Sequence, residues 1–384
     1  MDNNTLRMGQ NALLADNNRI AFIDYIRVVA CFLVMLVHSC EGFYAAADSG
    51  IASPVSMAPT SDVRFWVSLY DGVFGRFSVP LFMTVSAFLL VPLKPGVTMG
   101  GFYKRRFKRI LPPMIIFMLL YVFLPPLWGQ MTWEQAFNDL KLLPFTFPTM
   151  AGHLWFMYPL ISLYLIMPVV SPWLEKASAR DERIFIGLFA LSTTVPWLVR
   201  FVSSDLWGCC FWNPYFGMLY YCSGYIGYLV IAHYIRTHLE WSRRKRLWTG
   251  LACFAVGGAF TAWSWWMKAE PGVLVDSIML EWAWEYCTPN VMLTTVGAFL
   301  MFTCIRQPKA PRIITATAKL TFGMYLIHIF FLSPVSTAFI NGDAAHPLIP
   351  VWLAVPCTAV ISYVCSAVVV KLISLIPGGK WIVG

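Results

Sequence analysis

IAFIDYIRVVACFLVMLVHSC, residues 20–40, is the first long apolar run of the chain. At about 1.5 Å of rise per residue, a helix of this length crosses a hydrocarbon core about 30 Å thick. Three polar groups interrupt it: Asp24, Arg27 and His38. Charge inside a bilayer costs about 2.5–3.5 kcal/mol per group on insertion scales, so each one needs a reason. Asp24 and Arg27 stand three positions apart and share a helix face. Arg27 and His38 stand eleven apart, close to three turns, so they also share a face, separated by roughly 16 Å along the axis. One stripe therefore carries a fixed cation deep in the membrane and a titratable imidazole near the far end. The plain alternative is a structural ion pair and an interfacial histidine.

The rest of the chain repeats the pattern. Of its 384 residues, 58% are hydrophobic and 12% charged, against roughly 25% charged in a soluble domain. Length alone would suggest two or three soluble domains, but apolar runs recur at residues 65–93, 110–127, 153–174, 184–201, 214–234, 247–267, 286–305, 320–340 and 348–370. The implied fold is an all-α polytopic integral membrane bundle of about ten transmembrane helices. Residues 1–19 read as a disordered cytoplasmic tail, 20–372 as the transmembrane domain and 373–384 as a short C-terminal tail. No cleavable leader is visible, and the first run suits an uncleaved signal anchor.

Charge distribution tests the count. With the amino terminus in the cytoplasm, inner segments hold Lys94, Lys104, Arg105, Arg106, Lys108 and Arg109, then Lys176, Arg180 and Arg183. Further along they hold Arg236, Arg243, Arg244, Lys245 and Arg246, then Arg306, Lys309, Arg312 and Lys319. Outer segments hold Arg64, Lys141, Arg200 and Lys268. This alternation follows the positive-inside rule and requires an even number of spans with both termini cytoplasmic. It also accounts for the net charge of +9 without nucleic acid, for which no basic patch interleaved with aromatics exists. Most acidic residues, Glu41 and Glu281 among them, fall on the outer side. The outer loop stretch WEQAFNDLKLL suits a short amphipathic surface helix. Of ten cysteines most lie within apolar runs, and Cys209, Cys210 and Cys287 fall in outer loops, where a bridge is weakly supported. No CxxC or His/Cys cluster indicates a metal.

Other buried polar groups follow. Asp71 and Arg76 precede SVPLFMTVSAFLL; an arginine here must meet an anion, a carbonyl or a water-filled cavity, and the plain reading pairs it with Asp71 or Asp24. FYKRRFKRILPP puts Arg106 and Arg109 about one turn apart at the inner mouth of the third run, beside Arg105. Such a pair can clamp phosphate oxygens, although any basic loop also serves as a topogenic signal. GHLWFM places His153 and Trp155 near the outer surface, where aromatic anchoring is the bland alternative. FGMYLIHIFF carries Tyr325 and His328 near mid-membrane, where a neutral histidine bridging two helices is equally compatible. His233, His238 and His346 lie at helix ends or in loops and receive no role.

Together these blocks resemble the membrane acyltransferase 3 family. The similarity rests on Asp24, Arg27 and His38 with ten residues between the last two; on SVPLFMTVSAFLL preceded by Arg76; on the Arg106-x-x-Arg109 pair; on HLWFMYPLISLYLIMP; and on FGMYLIHIF. The blocks stand in the family's order across most of the chain and are most similar to the enterobacterial common antigen O-acetyltransferase type. Ala87 stands where the family usually has glycine, and Lys319 lies near where small polar residues are common. The resemblance implies acyl transfer, usually acetyl, from cytoplasmic acetyl-CoA to a hydroxyl of an extracytoplasmic glycan or lipid-linked saccharide, in a bacterial cytoplasmic membrane. Under it, Arg106, Arg109 and Arg105 would hold the coenzyme A phosphates. Arg27, oriented by Asp24, and Arg76 would line the path of the thioester or polarise its carbonyl. His38 would act as general base, with His153, Trp155, Tyr325 and His328 around the acceptor. No metal is implied, and oligomeric state stays open between monomer and homodimer. The competing reading is a secondary transporter of a small carboxylate or an acyl carrier lipid, since intramembrane Arg and His serve transport equally well, although no inverted repeat is visible. A third is an assembly scaffold.

Overall fold

The computed structural model describes residues 20–44, 55–210 and 213–384; the expected 1–19 tail lies outside these. The described chain is helical, apart from a two-residue ribbon of β1 (Val55–Ser56) and β2 (Val275–Asp276). Seven helices are long and apolar enough to span. They are α1 (Ala21–Tyr44), α2 (Ser61–Leu90), α3 (Met99–Leu127), α5 (Thr149–Lys176), α6 (Ala179–Phe201), α8 (Arg243–Trp266) and α12 (Val351–Leu375). Between α3 and α5 lies α4 (Trp133–Leu142), closed at its start by a Thr132–Gln135 capping box, which is the amphipathic helix expected there.

The other three expected spans contain helices of different form. The sixth run overlaps a single α-helix, α7 (Ile226–Thr237), of only 12 residues, about 18 Å of rise. The residues before it form a 3-10 turn, Gly217–Cys222, set off by positive φ at Gly217 and Gly224, which only glycine adopts readily. The eighth is α9 (Pro289–Phe302), 14 residues long, with Pro289 in its first turn, where the missing N–H costs nothing. The ninth is broken into α10 (Thr321–Ile327) and α11 (Ile329–Ile340), bent by 53°. The tail does not trail away: α12 runs to Leu375, and α13 (Lys380–Val383) packs against α3, α10 and α12 with Val383 buried.

Helix α1 lies at the centre, in contact with α2 and α9 through α12. Its buried residues run almost unbroken from Ala30 to Cys40, so the charged stripe read from the sequence faces protein rather than lipid. The most extensive pairing is α8 on α9. A Cβ on Gly297 would fall 2.6 Å from the Gly250 carbonyl oxygen, so the two backbones meet directly, as small residues allow in lipid. On the outer side β1 and β2 join the segment after α1 to the segment before α9, with Val55 opposite Asp276. This brings Glu281 over the outer end of α1. All ten cysteines are free thiols, so Cys209, Cys210 and Cys287 form no bridge.

Candidate active site

The break between α10 and α11 has an identifiable cause. His328 sits at the junction, fully buried, with its Nδ1 2.6 Å from the carbonyl oxygen of Tyr325. The next carbonyl, of Leu326, accepts the Tyr121 hydroxyl at 3.2 Å and His153 Nε2 at 3.4 Å. Side chains inserted into the backbone ladder kink a helix. The same contacts collect three imidazoles. Ring centroids lie 5.3 Å apart for His38 and His328, 4.9 Å for His153 and His328, and 6.5 Å for His38 and His153. The Tyr325 hydroxyl donates to the backbone oxygen of His153 at 2.5 Å, which ties α5 to α10.

Each imidazole has one nitrogen committed as a donor. A carbonyl oxygen only accepts, so His328 carries its proton on Nδ1 and His153 on Nε2. His328 Nε2 and His153 Nδ1 are then acceptors, both buried and without a hydrogen-bond partner among the described residues. His38 Nδ1 lies 2.9 Å from Glu41 Oε2. The carboxylate fixes the proton on Nδ1 and leaves Nε2 with a basic lone pair, the carboxylate–imidazole arrangement of a general base. Glu41 was read in the sequence only as an outer-loop acid; its spacing of three from His38 on the same helix was the signal that could have found it.

Below the histidines lies a cavity of about 160 Å³. At one end are the cations Arg27, Arg106, Arg109 and Lys319; at the other are Val34, Phe156 and Tyr325, with Ser86 and Leu89 of α2 along the wall. Val34 is one turn before His38 on α1. The Tyr325 ring lies 5.7 Å from His153 and 6.0 Å from His328, so it belongs both to the end of the cavity and to the histidine cluster. Arg106 Nε is buried and has no hydrogen-bond partner among the described residues. Four cations beside an apolar channel fit a molecule with a polyanionic head and a long thin arm.

Outside this site, Arg76 is paired with two carboxylates. It lies 2.7 Å from Asp71 through Nε and 3.2 Å from Glu281 through Nη1. A second 2.7 Å contact runs from Nη2 to Asp71, and the guanidinium stacks 4.2 Å over Trp284. Tyr44 completes the cluster by donating to Glu281 at 2.9 Å. Asp71 lies in a π-helical turn, Ser68–Val73, and Gly75 admits α1: a Cβ there would lie 2.5 Å from Val37 Cγ2.

The family model described as an acyltransferase domain matches residues 20–371, nearly the whole chain. The chain belongs to the acyltransferase 3 family. It is also 24% identical over 366 residues to YfiQ of Bacillus subtilis (strain 168), named as a candidate membrane-bound acyltransferase, covering 91% of this chain and 89% of that protein. No solved structure matches the chain significantly. The protein is thus an integral membrane acyltransferase.

Within this acyltransferase, Arg27, Arg106, Arg109 and Tyr325 line the cavity, and His38, His153 and His328 cluster at its end. Arg105 is exposed and Asp24 buried; neither lines the cavity, and Asp24 Oδ2 accepts from Thr315 at 3.3 Å. Trp155 stacks on Tyr286 at 5.2 Å and Arg76 serves the outer cluster, so neither reaches the cavity wall. Lys319, read as a loop charge and a departure from the family pattern, does line it.

Proposed function

We propose that this membrane acyltransferase moves an acetyl group from cytoplasmic acetyl-CoA to a hydroxyl of an extracytoplasmic glycan or lipid-linked saccharide, in a bacterial cytoplasmic membrane. The observation that carries this reading is the cavity: cations at its inner end, and at its outer end Tyr325 and Val34 beneath the His38–Glu41 pair. Arg106, Arg109 and Lys319 bind the donor phosphates, with Arg27 adding charge at the same end. Arginine suits bidentate contact with phosphate oxygens. Val34, Phe156 and Leu89 exclude water from the arm.

His38 Nε2 accepts the proton of the acceptor hydroxyl while that oxygen attacks the thioester carbon. The new C–O ester bond replaces the C–S bond, and the imidazolium returns its proton to the departing sulfur. Glu41 holds the His38 ring in the required tautomer and offsets the positive charge that develops on it. The open nitrogens of His153 and His328 accept hydrogen bonds from neighbouring hydroxyls of the acceptor and so orient it. Arg76, with Asp71 and Glu281, holds the outer cap in place. Family membership favours this reading over a solute transporter or a scaffold.

The test uses correctly inserted protein carrying His38→Ala or Arg27→Ala, with mass spectrometry of the cell-surface glycan. Both variants should lose acetylation. Full acetylation in both would refute the assignment. Transfer of radiolabelled acetyl groups in proteoliposomes, measured beside solute uptake, separates transferase from transporter.

A further inference from the structure

Glu182, in the first turn of α6, is fully buried. Its Oε1 lies 2.8 Å from His233 Nδ1 and 3.0 Å from His238 Nε2. Its other oxygen, Oε2, is buried and has no hydrogen-bond partner among the described residues. The nearby guanidinium of Arg236 acts on Glu182 by charge alone: its hydrogen bonds go to the carbonyls of Phe88, at 2.6 Å, and Val91. A buried carboxylate with one oxygen doubly approached and the other bare is an expensive arrangement unless a cation joins it.

The three ligand atoms all lie within 4.8 Å of one another. Two imidazoles and one carboxylate form a donor set typical of zinc with three protein ligands. Ligands about 2.0–2.1 Å from a tetrahedral ion stand roughly 3.3 Å apart, so the two contacts to Glu182 Oε1 need to open by about half an ångström or less, and the two ring nitrogens need to come to the same separation from each other. His238 caps the C-terminus of α7, where the helix ends after Thr237. Both rings reach the same carboxylate oxygen of Glu182.

We propose that Glu182, His233 and His238 bind a divalent transition-metal ion of the zinc class at the cytoplasmic ends of α6 and α7, with a solvent molecule at the fourth position. Part-exposed His238 gives access from that side. The ion clamps α6 to α7. Because Arg236 of α7 holds the final carbonyls of α2, the clamp steadies the α2 wall along which Ser86 and Leu89 line the donor cavity. The site is separate from the histidine cluster at the far end of that cavity and takes no part in acyl transfer.

The experiment uses full-length protein purified in detergent through a histidine-free tag, stripped with a chelator and titrated with zinc against a chromogenic competitor. Elemental analysis after gel filtration should find close to one zinc per chain. Cobalt(II) in its place should give the intense visible bands of a tetrahedral ion. Glu182→Gln and His238→Gln should weaken zinc at least 100-fold and abolish those bands. His238 is part-exposed, so that variant decides if Glu182→Gln fails to fold. Wild-type protein that retains no zinc, or variants that bind it as tightly as wild type, would overturn the proposal. Loss of donor binding on Arg106→Ala with zinc affinity unchanged would show that the two sites are distinct.

Discussion

Replacing Glu41 by glutamine removes one charge at His38 and little else. In the transition state His38 becomes an imidazolium 2.9 Å from the Glu41 carboxylate. Coulomb's law at an effective dielectric near 20 sets an upper limit of about 6 kcal/mol for that attraction. Glu41 is 19% exposed, so solvent screens part of it. The gain reduces to that of a charge-assisted hydrogen bond, about 1.5–3 kcal/mol. At about 1.4 kcal/mol per tenfold in rate, Glu41→Gln should lower kcat about 10- to 150-fold and leave the donor KM unchanged, because Glu41 is not part of the cavity wall. His38→Gln removes the base itself and should cost about 10²–10⁴-fold. The double variant is the decisive measurement. A carboxylate acting through the imidazole has nothing to act on once His38 is gone, so the double variant should match His38→Gln alone. The assay is initial-rate transfer from radiolabelled acetyl-CoA in proteoliposomes. Wild-type kcat in Glu41→Gln, or losses that multiply in the double variant, would refute the pairing as the catalytic element.

Arg106→Ala, Arg109→Ala and Lys319→Ala should each raise the donor KM about tenfold, the effect of one lost charge-assisted phosphate contact, with kcat nearly unchanged; a kcat loss at constant KM would remove them from the donor site. Gly75→Ala should lower the thermal midpoint in detergent by an overpacking cost of about 1–3 kcal/mol, because the new Cβ meets Val37 at 2.5 Å and Asp71 Oδ1 at 2.9 Å; an unchanged midpoint would mean that α1 and α2 separate freely. Asp71→Asn, which strips a buried guanidinium of its main partner, should cost about 3–5 kcal/mol, whereas Asp71→Leu combined with Arg76→Met should cost less; thermal unfolding in detergent ranks the two.

The sequence carried depth far better than direction. Basic loops alternating with poor ones located the inner ends of the helices, and with them the arginine pair of α3 and the lysine before α10. Hydrophobic runs found the seven helices long and apolar enough to span, but not that the other three runs would contain short or broken helices. Those departures depend on Gly217, Gly224 and the side chains that reach Tyr325 O and Leu326 O, and hydropathy does not register them. Ranking buried cations by cost singled out Arg76, which spends its charge on Asp71 and Glu281. The alternative reading as a pair with Asp71 is the one the structure shows, and Glu281 joins because β1 and β2 fold its loop back over α1.

The histidines show why azimuth is the missing quantity. Periodicity reports which residues of one helix share a face, but it does not say which faces of different helices meet. His38, His153 and His328 could be placed by depth, the first two near the outer surface and the third near mid-membrane. An imidazole in that layer cannot face lipid without losing its hydrogen bonds, so each had to turn inward. Inward-facing groups on helices that share one core have few places to go. The step from three separate histidines to one cluster therefore needed only the knowledge that α1, α5 and α10 are neighbours. What physics supplied and spacing could not was the bend: His328 competes for the carbonyl of its own turn, opens the ladder, and tips its ring toward His38. Sites of this kind are legible as residues that each violate the solvent rule, and they become chemistry once packing shows that the violations coincide.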